Sequence, residues 1–414
     1  VHQPQQADIQ AMRLPWNTSG LAKHLAILLQ SGWPIALCFW VVAQVLIVIL
    51  CVWDVIPVPY ELPPDMKIDG LFEIPLVPWT LLTSFCSLTL GFLMAPYFPS
   101  LGRAPDTCFL DVACVNQSDR ELTERAVYGL GGFLAMSDEL RVLWSAPYLS
   151  RLWCVFELAA YRPANPTGKI SFRPIYMELS VLIAVPTIHL INLLSYVCLV
   201  HLRDVMPLIP FSIVCLSCCV HLLRRSHRAR LQLMSDLQSF DIQNASCANA
   251  FDREFVMSSI ARWYGSTQSF TNFVRGPLRE DLAPSINATG FQTGYIVLMC
   301  LSGISYQNQV CLQFWAEGAS WQFILLFALS SGLAYAALYV FCLAKLILHL
   351  SSRFASRWSC DYLPSVLVTL AIWILNAIGT VIGQQAPKAG LIPTLAWCIF
   401  AAVAAILTLR GSST

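Results

Sequence analysis

Charge-free apolar runs alternate along this chain with segments in which polar and apolar residues mix. A helix needs roughly 20 apolar residues to cross a ~30 Å hydrocarbon core. Runs of that length lie at Pro34–Trp53, Leu76–Phe98, Leu179–Val200, Val205–Leu223, Trp321–Ala344, Leu363–Gly383 and Leu391–Leu409. Phe291–Cys311 is a further run, although Gln307, Asn308 and Gln309 interrupt its far end. Only His201–Asp204 separates the third run from the fourth, so these two form an antiparallel hairpin. The pattern predicts a mainly α-helical polytopic membrane protein with about eight transmembrane helices.

The mixed segments read differently. Leu21, Leu25, Leu28 and Leu29 recur at helical spacing between a cap near Thr18 and a stop at Gly32, which makes an amphipathic helix. From Asp106 to Met177, strands and helices alternate as in a small α/β unit with a parallel sheet. Cys108–Cys114, Leu140–Ser145 and Lys169–Tyr176 read as its strands. Leu122, Ala126, Gly129, Leu130, Phe133 and Leu134 mark one helix, and Leu152, Val155, Phe156 and Ala159 form the buried stripe of another that Ser150 caps. Trp153, Glu157 and Tyr161 line a different face of it, together with Cys154. Farther on, Leu231, Met234 and Leu237 form one stripe, and Val256, Ile260 and Trp263 another that Gly265 should end. The expected organisation is an amphipathic helix in 1–33, two spans in 34–98, the α/β unit in 99–177, two spans in 178–223, a helical linker in 224–289 and four spans in 290–414.

Composition strengthens the membrane reading. The chain is 57% hydrophobic and 12% charged, whereas about a quarter of the residues in a soluble domain are charged. A net charge of +1 lacks the gathered basic face that nucleic-acid binding requires. The 16 cysteines fall mostly inside apolar runs, where they act as small hydrophobes. None has zinc-ribbon spacing, and Cys215, Cys218 and Cys219 sit within the fourth run, so neither a metal nor a cofactor is expected. Residues 54–75 carry Asp54, Glu61, Asp65, Asp69 and Glu73 against Lys67, while Arg224, Arg225, Arg228 and Arg230 follow the fourth run directly. Short basic loops stay cytoplasmic, which places the N-terminus, the α/β unit and the linker on the cytoplasmic face of a bilayer. The chain opens on Val1 rather than Met, as a fragment or trimmed chain would.

The order FLDVACVNQSD, a helix, then LRVLWSAPYLSRLWCVFELAAY resembles the TIR (Toll/interleukin-1 receptor) domain, a flavodoxin-like α/β fold whose late strand ends in a serine and leads to a W-C-x-x-E-L helix. The likeness covers Asp106 to Met177, under a fifth of the chain. FLDVACVNQSD is also similar to the heterokaryon-incompatibility domains of fungi. The whole layout resembles multi-span proteins predicted in unicellular algae, in which membrane helices interrupt the TIR-like unit. On that resemblance the helix before Gly32 is the first of a split domain, and the first two spans are an inserted hairpin.

The resemblance implies signalling by self-association or partner binding. In TIR domains that cleave NAD the glutamate of the W-C-x-x-E-L helix is catalytic, which maps that role onto Glu157, with Trp153, Asp111, Ser145 and Tyr148 as substrate contacts. A carboxylate near the ribose hydroxyls would stabilise the oxocarbenium-like sugar as nicotinamide departs, so NAD would be a substrate rather than a cofactor. Many TIR-like domains are interaction modules, and there Glu157 would anchor a hydrogen-bond network instead. Other candidates read as structural. Cys114 and Cys154 have no histidine anywhere from Pro99 to Thr187. Gly129, Gly131 and Gly132 lie in a helical pattern, which suits close helix packing better than a phosphate loop. Asp119 reads as a turn residue or cap. A transporter or channel with a regulatory TIR-like domain is the rival class, yet the apolar runs hold no Asp, Glu or Arg. Gln44, His189, Asn192, His221 and Asn376 read as interhelical hydrogen-bond partners.

Overall fold

The computed structural model describes residues 20–56, 78–98, 119–144, 148–174, 176–201, 206–247, 249–287, 293–356 and 359–410. In chain order the elements are α1 (Gly20–Val52), α2 (Trp79–Met94), α3 (Arg120–Met136), β1 (Glu139–Trp144), α4 (Leu152–Ala164), β2 (Lys169–Pro174), α5 (Tyr176–His201), α6 (Leu208–Gln238), α7 (Ala250–Tyr264) and α8 (Thr267–Phe273). They continue with α9 (Arg279–Asn287), α10 (Thr293–Ala316), α11 (Trp321–Arg353), α12 (Leu363–Ala389) and α13 (Leu391–Arg410). The chain divides into two compact units. A mixed unit comprises Val1–Lys23, Pro99–Ile175 and Arg228–Ala288, and a bundle unit comprises His24–Phe98, Tyr176–His227 and Thr289–Thr414.

Among the described residues, seven helices are long and apolar enough to cross a membrane: α1, α2, α5, α6, α11, α12 and α13. The chain is a helical polytopic membrane protein. α10 is more polar, and its position compensates. Tyr295 and Ile296 near its start share a cluster with Leu29, Val181, Leu223 and Leu348. Leu312 and Trp315 near its end join Ile47, Cys51 and Trp79. It therefore runs from the amino end of α1 to the carboxyl end of α1, enclosed by the other helices. Trp53, Trp79, Trp315 and Trp321 collect at the end of the bundle where α1 finishes, as interfacial aromatic residues do.

α1 does not stop at Gly32. It continues through Gly32 and Pro34 to Val52, and Leu29 is buried with residues of the spans. Helix-breaking residues persist in bundles where neighbours supply compensating contacts. A Cβ at Gly32 would lie 3.0 Å from that of Ala95, so the glycine lets the end of α2 come close. Gly91 repeats this one turn along the same helix pair, since a Cβ there would fall 2.5 Å from the Ala36 Cα.

In the mixed unit β1 and β2 pair in parallel, from Glu139 opposite Lys169 to Trp144 opposite Pro174. Parallel neighbours need a crossover, and α4 supplies it. Among the described residues this sheet has two strands; the strand expected at Cys108–Cys114 lies outside them. β2 ends at Pro174, short of the expected Tyr176, because α5 begins there. The core gathers Val142 and Phe172 from the sheet, Leu152, Val155, Leu158 and Ala159 from α4, Val256 and Ile260 from α7, and Phe270 and Leu282 beyond. Leu233 and Leu237 form the buried stripe at the end of α6, whereas Leu231, expected there, is 60% exposed. Gly265, at φ 82°, ends α7 as its sequence predicts.

Candidate functional site

Helix α4 carries the W-C-x-x-E-L motif. Its apolar stripe packs inward as expected, with Leu152, Val155, Phe156 and Ala159 all buried. Tyr161, read on a separate face with Trp153, Glu157 and Cys154, is fully buried, and its hydroxyl donates to Ser137 O at 3.1 Å. Burial pushes its phenol up. Ser150 does not cap α4. Arg151 occupies the cap position, and its side chain makes no cap bond to the helix, while the Ser150 carbonyl accepts from Ser246 N (2.7 Å) and from Ser246 Oγ (2.9 Å).

Glu157 is half-buried one turn beyond Trp153. Trp153 packs edge-on against Phe156 at 5.4 Å and donates from Nε1 to Asp252 Oδ2 at 3.3 Å. Tyr148 meets Phe172 edge-on at 5.9 Å. Asp111, Ser145 and Cys114 lie outside the described residues, so α4 and Tyr148 are the part of the expected site that can be placed. Asp119 is the cap of α3, accepting from Glu121 N (2.9 Å) and Leu122 N (3.2 Å). The glycines of α3 do not serve close packing: all are exposed, and a Cβ at Gly131 or Gly132 would meet nothing within 4 Å. Gly131 borders a cavity of about 410 Å³ whose wall includes Phe156, Ala160, Pro163, Phe255 and Trp263. Glu157 and Trp153 are not on that wall. An apolar lining offers nothing to orient a ribose or phosphate.

α7, in the segment expected to be a helical linker able to pack on the α/β unit, lies against α4. Its aromatic side chains pack at tilted angles against Phe156, with Phe255 at 5.9 Å and Trp263 at 5.4 Å. Tyr264 OH donates to Ala159 O at 3.1 Å, and burial pushes that phenol up to about 12. Leu152 N donates to Ser246 O at 3.0 Å, and Arg151 and Ser246 form a parallel bridge. Arg162 ties α4 to Asp281 at 3.5 Å. Asn249 caps α7 by accepting from Phe251 N, a local signal that locates Asp252 in the first turn; nothing local names Trp153 as its partner.

The bundle unit holds a second polar constellation. Trp40 Nε1 donates to Ser84 Oγ (2.9 Å) and Ser305 Oγ (3.1 Å). Ser305 Oγ donates onward to Leu301 O. His189 Nδ1 lies 2.8 Å from Val185 O and must carry the proton there, so Nε2 accepts from Ser84 Oγ at 3.0 Å. Gln44 Nε2 donates to Thr80 O, Asn308 Nδ2 to Gln44 Oε1, and Thr80 N to Gln309 Oε1. Asn192 bonds Ser302, His221 stacks on Tyr362, and Asn376 accepts from Tyr335 OH. All five residues read as interhelical partners are thus engaged across helices. Among the described residues no cluster of His, Cys, Asp or Glu is arranged to hold a metal ion. No family model, curated protein or solved structure gives a significant match to the chain.

Proposed function

We propose that this multi-pass protein presents a TIR-like α/β unit to the cytoplasm for signalling by self-association or partner binding. The way the mixed unit is assembled carries the reading. Ser150 and Leu152 bond Ser246, Trp153 bonds Asp252, and Arg162 pairs with Asp281, although the apolar helices α5 and α6 intervene in sequence. Segments that pack into one unit share a compartment, so the α5–α6 hairpin leaves and returns on one side. Arg224, Arg225, Arg228 and Arg230 assign that side to the cytoplasm. The parallel β1–α4–β2 order, with the W-C-x-x-E-L helix as crossover, supports the TIR-like assignment. The placement of α10 supports an eighth crossing.

Cleavage of NAD at Glu157 is the enzymatic version. The tethered Trp153 and the apolar cavity favour the interaction module over it. The saturated bonds around Trp40 and His189 likewise favour a scaffold over a conduit. The test uses the full chain in nanodiscs, with chemical crosslinking across a concentration series and nicotinamide followed after addition of NAD. Concentration-dependent dimers without nicotinamide are expected. Nicotinamide release that Glu157→Gln abolishes would establish the enzyme instead, and absence of crosslinks at every concentration would overturn the self-association reading. A glycan on the Asn244 sequon would overturn the orientation.

A further inference from the structure

We propose that the carboxyl ends of α11 and α13 form a site for the headgroup of an anionic phospholipid, with the Lys345 ammonium at its centre. The inference concerns the bundle unit alone and is independent of the TIR-like reading. A cation at the edge of the hydrocarbon is stabilised by an anion, by acceptor oxygens or by reaching out to water. Lys345 makes no hydrogen bond or ion pair within the protein, and its ammonium lies over the Phe341 ring, 5.9 Å from the ring centre. Phe341 is one turn back along α11, so the side chain folds toward the middle of the span rather than past its end. A ring face is a weaker partner than an anion, and neither α11 nor α13 contains an Asp or Glu to supply one.

Depth and direction both suit a lipid. About 20 helical residues cross the hydrocarbon core, so with Trp321 at one interface the core ends near Phe341 and Lys345 stands at headgroup level. Cys342, Lys345, His349 and Arg353 recur at spacings of three and four, which puts them on one face of α11. That face looks toward α13, because Cys342 Sγ lies 3.8 Å from Thr408 Oγ1. Nearer the start of both helices Trp397 Nε1 donates to Ser330 O at 3.2 Å, so α11 and α13 run side by side in the same direction. Arg410, just past Thr408, therefore comes level with Lys345, just past Cys342. On α13 the exposed residues Ile399, Val403, Leu407 and Arg410 recur at spacings of four, four and three, an apolar stripe that ends in a cation. Such a stripe accommodates an acyl chain whose phosphate then meets Arg410 and Lys345; free phosphate would use the cations alone. Basic pockets between membrane helices bind anionic headgroups in this way. A choline headgroup would set a further cation against them, so phosphatidylglycerol should be preferred to phosphatidylcholine.

Native mass spectrometry of the full chain, titrated with each lipid, measures the first bound phospholipid directly. Lys345→Gln should weaken phosphatidylglycerol binding about tenfold, the worth of one charge-assisted hydrogen bond, and Lys345→Arg should retain it. Arg410→Gln gives a second, independent loss of about threefold. Arg225→Gln removes an equal charge from an exposed position on α6 and should change affinity by no more than about twofold. An unfolding midpoint in phosphatidylcholine nanodiscs equal to that of the wild type verifies that each variant is folded. Adding phosphatidylglycerol to the nanodiscs should raise the wild-type midpoint and leave that of Lys345→Gln unchanged, and inorganic phosphate should raise neither. Equal affinity for the two lipids, or equal losses in Lys345→Gln and Arg225→Gln, would overturn the site and leave only diffuse attraction between basic residues and an anionic surface. Protection by inorganic phosphate that matches phosphatidylglycerol would overturn the lipid as its occupant.

Discussion

Between the helices of the bundle unit lie Gln44, Thr80, Ser84, His189, Gln309 and Arg224, all buried, while Ile399, Phe400 and Leu407 stand exposed. The mixed unit reverses this. Leu152, Val155, Ile260 and Phe270 fill its interior, and its polar pairs, Trp153 with Asp252 and Arg162 with Asp281, lie nearer the surface. The difference follows from the surroundings. Lipid tails are as apolar as leucine, so apolar contact gives a helix in the bilayer little reason to prefer one neighbour or register, and hydrogen bonds and close approach must specify both. Water makes apolar burial the main term in the mixed unit, where polar pairs add orientation.

Arg224 is where this contrast should break most visibly. Its side chain is fully buried and donates to Phe354 O (2.7 Å), to Ser365 Oγ (2.9 Å) and to the carbonyl and carboxylate of Asp361. It thereby locks the turn between α11 and α12 to α6. Arg224→Met should cost roughly 3–5 kcal/mol, toward the lower end because Asp361 is partly exposed and retains some solvation. Thermal unfolding of the purified protein checks this, and a loss under about 1 kcal/mol would remove Arg224 as a lock.

Truncating apolar side chains should sharpen the same contrast. Leu152→Ala, at a site 1% exposed in the mixed unit, should cost about 2–5 kcal/mol through lost burial and a cavity. Leu407→Ala, at a site 62% exposed on α13, should leave stability almost unchanged. Paired chemical denaturation of the two variants compares them. Equal losses would mean that the outward face of α13 is buried against something other than lipid.

A smaller effect is expected from Gln309→Leu. It removes the acceptor of Thr80 N (3.1 Å) and Thr80 Oγ1 (3.1 Å) while adding apolar surface. Interhelical bonds in membranes average about 0.6 kcal/mol and rarely exceed about 1.7, so the loss should fall in that range. A gain in stability would show that α10 is held by packing alone.

These contrasts also explain what the sequence made legible. Seven spans announce themselves because apolar side chains face lipid over a whole helix length. α10 reads as interrupted at Gln307, Asn308 and Gln309 because a window counts those residues against lipid, whereas the structure encloses them and bonds Gln309 to Thr80. The stop expected at Gly32 fails for a related reason: local signals end a helix in water, and helix contacts override them in a bundle. In the mixed unit the α4 stripe is visible through its spacing. The contact of Trp153 with Asp252, 99 residues away, is not. Gly131 and Gly132 mislead because spacing cannot distinguish a glycine that admits a neighbouring helix from one that faces open space.

The smallest effect concerns the contact between α7 and α4, and it depends on pH. Tyr264 OH donates to Ala159 O at 3.1 Å, and burial raises its phenol from the ordinary value near 10 to about 12. Because the folded state holds this proton more tightly than the unfolded chain, the contribution is fully present below about pH 10. It is lost as pH rises from there through about 12, when the phenolate has no proton to give and faces a carbonyl oxygen. At neutral pH, Tyr264→Phe should cost about 0.5–1.5 kcal/mol, the net worth of one hydrogen bond. The clean readout is ultraviolet absorbance titration of wild type minus Tyr264→Phe, which isolates this phenol from the other tyrosines. A difference midpoint near 12 is expected, accompanied by loosening of α7 over the same range. A midpoint near 10 would mean that Tyr264 is solvated, and α7 would then be held to α4 chiefly by Phe255, Val256 and Ile260.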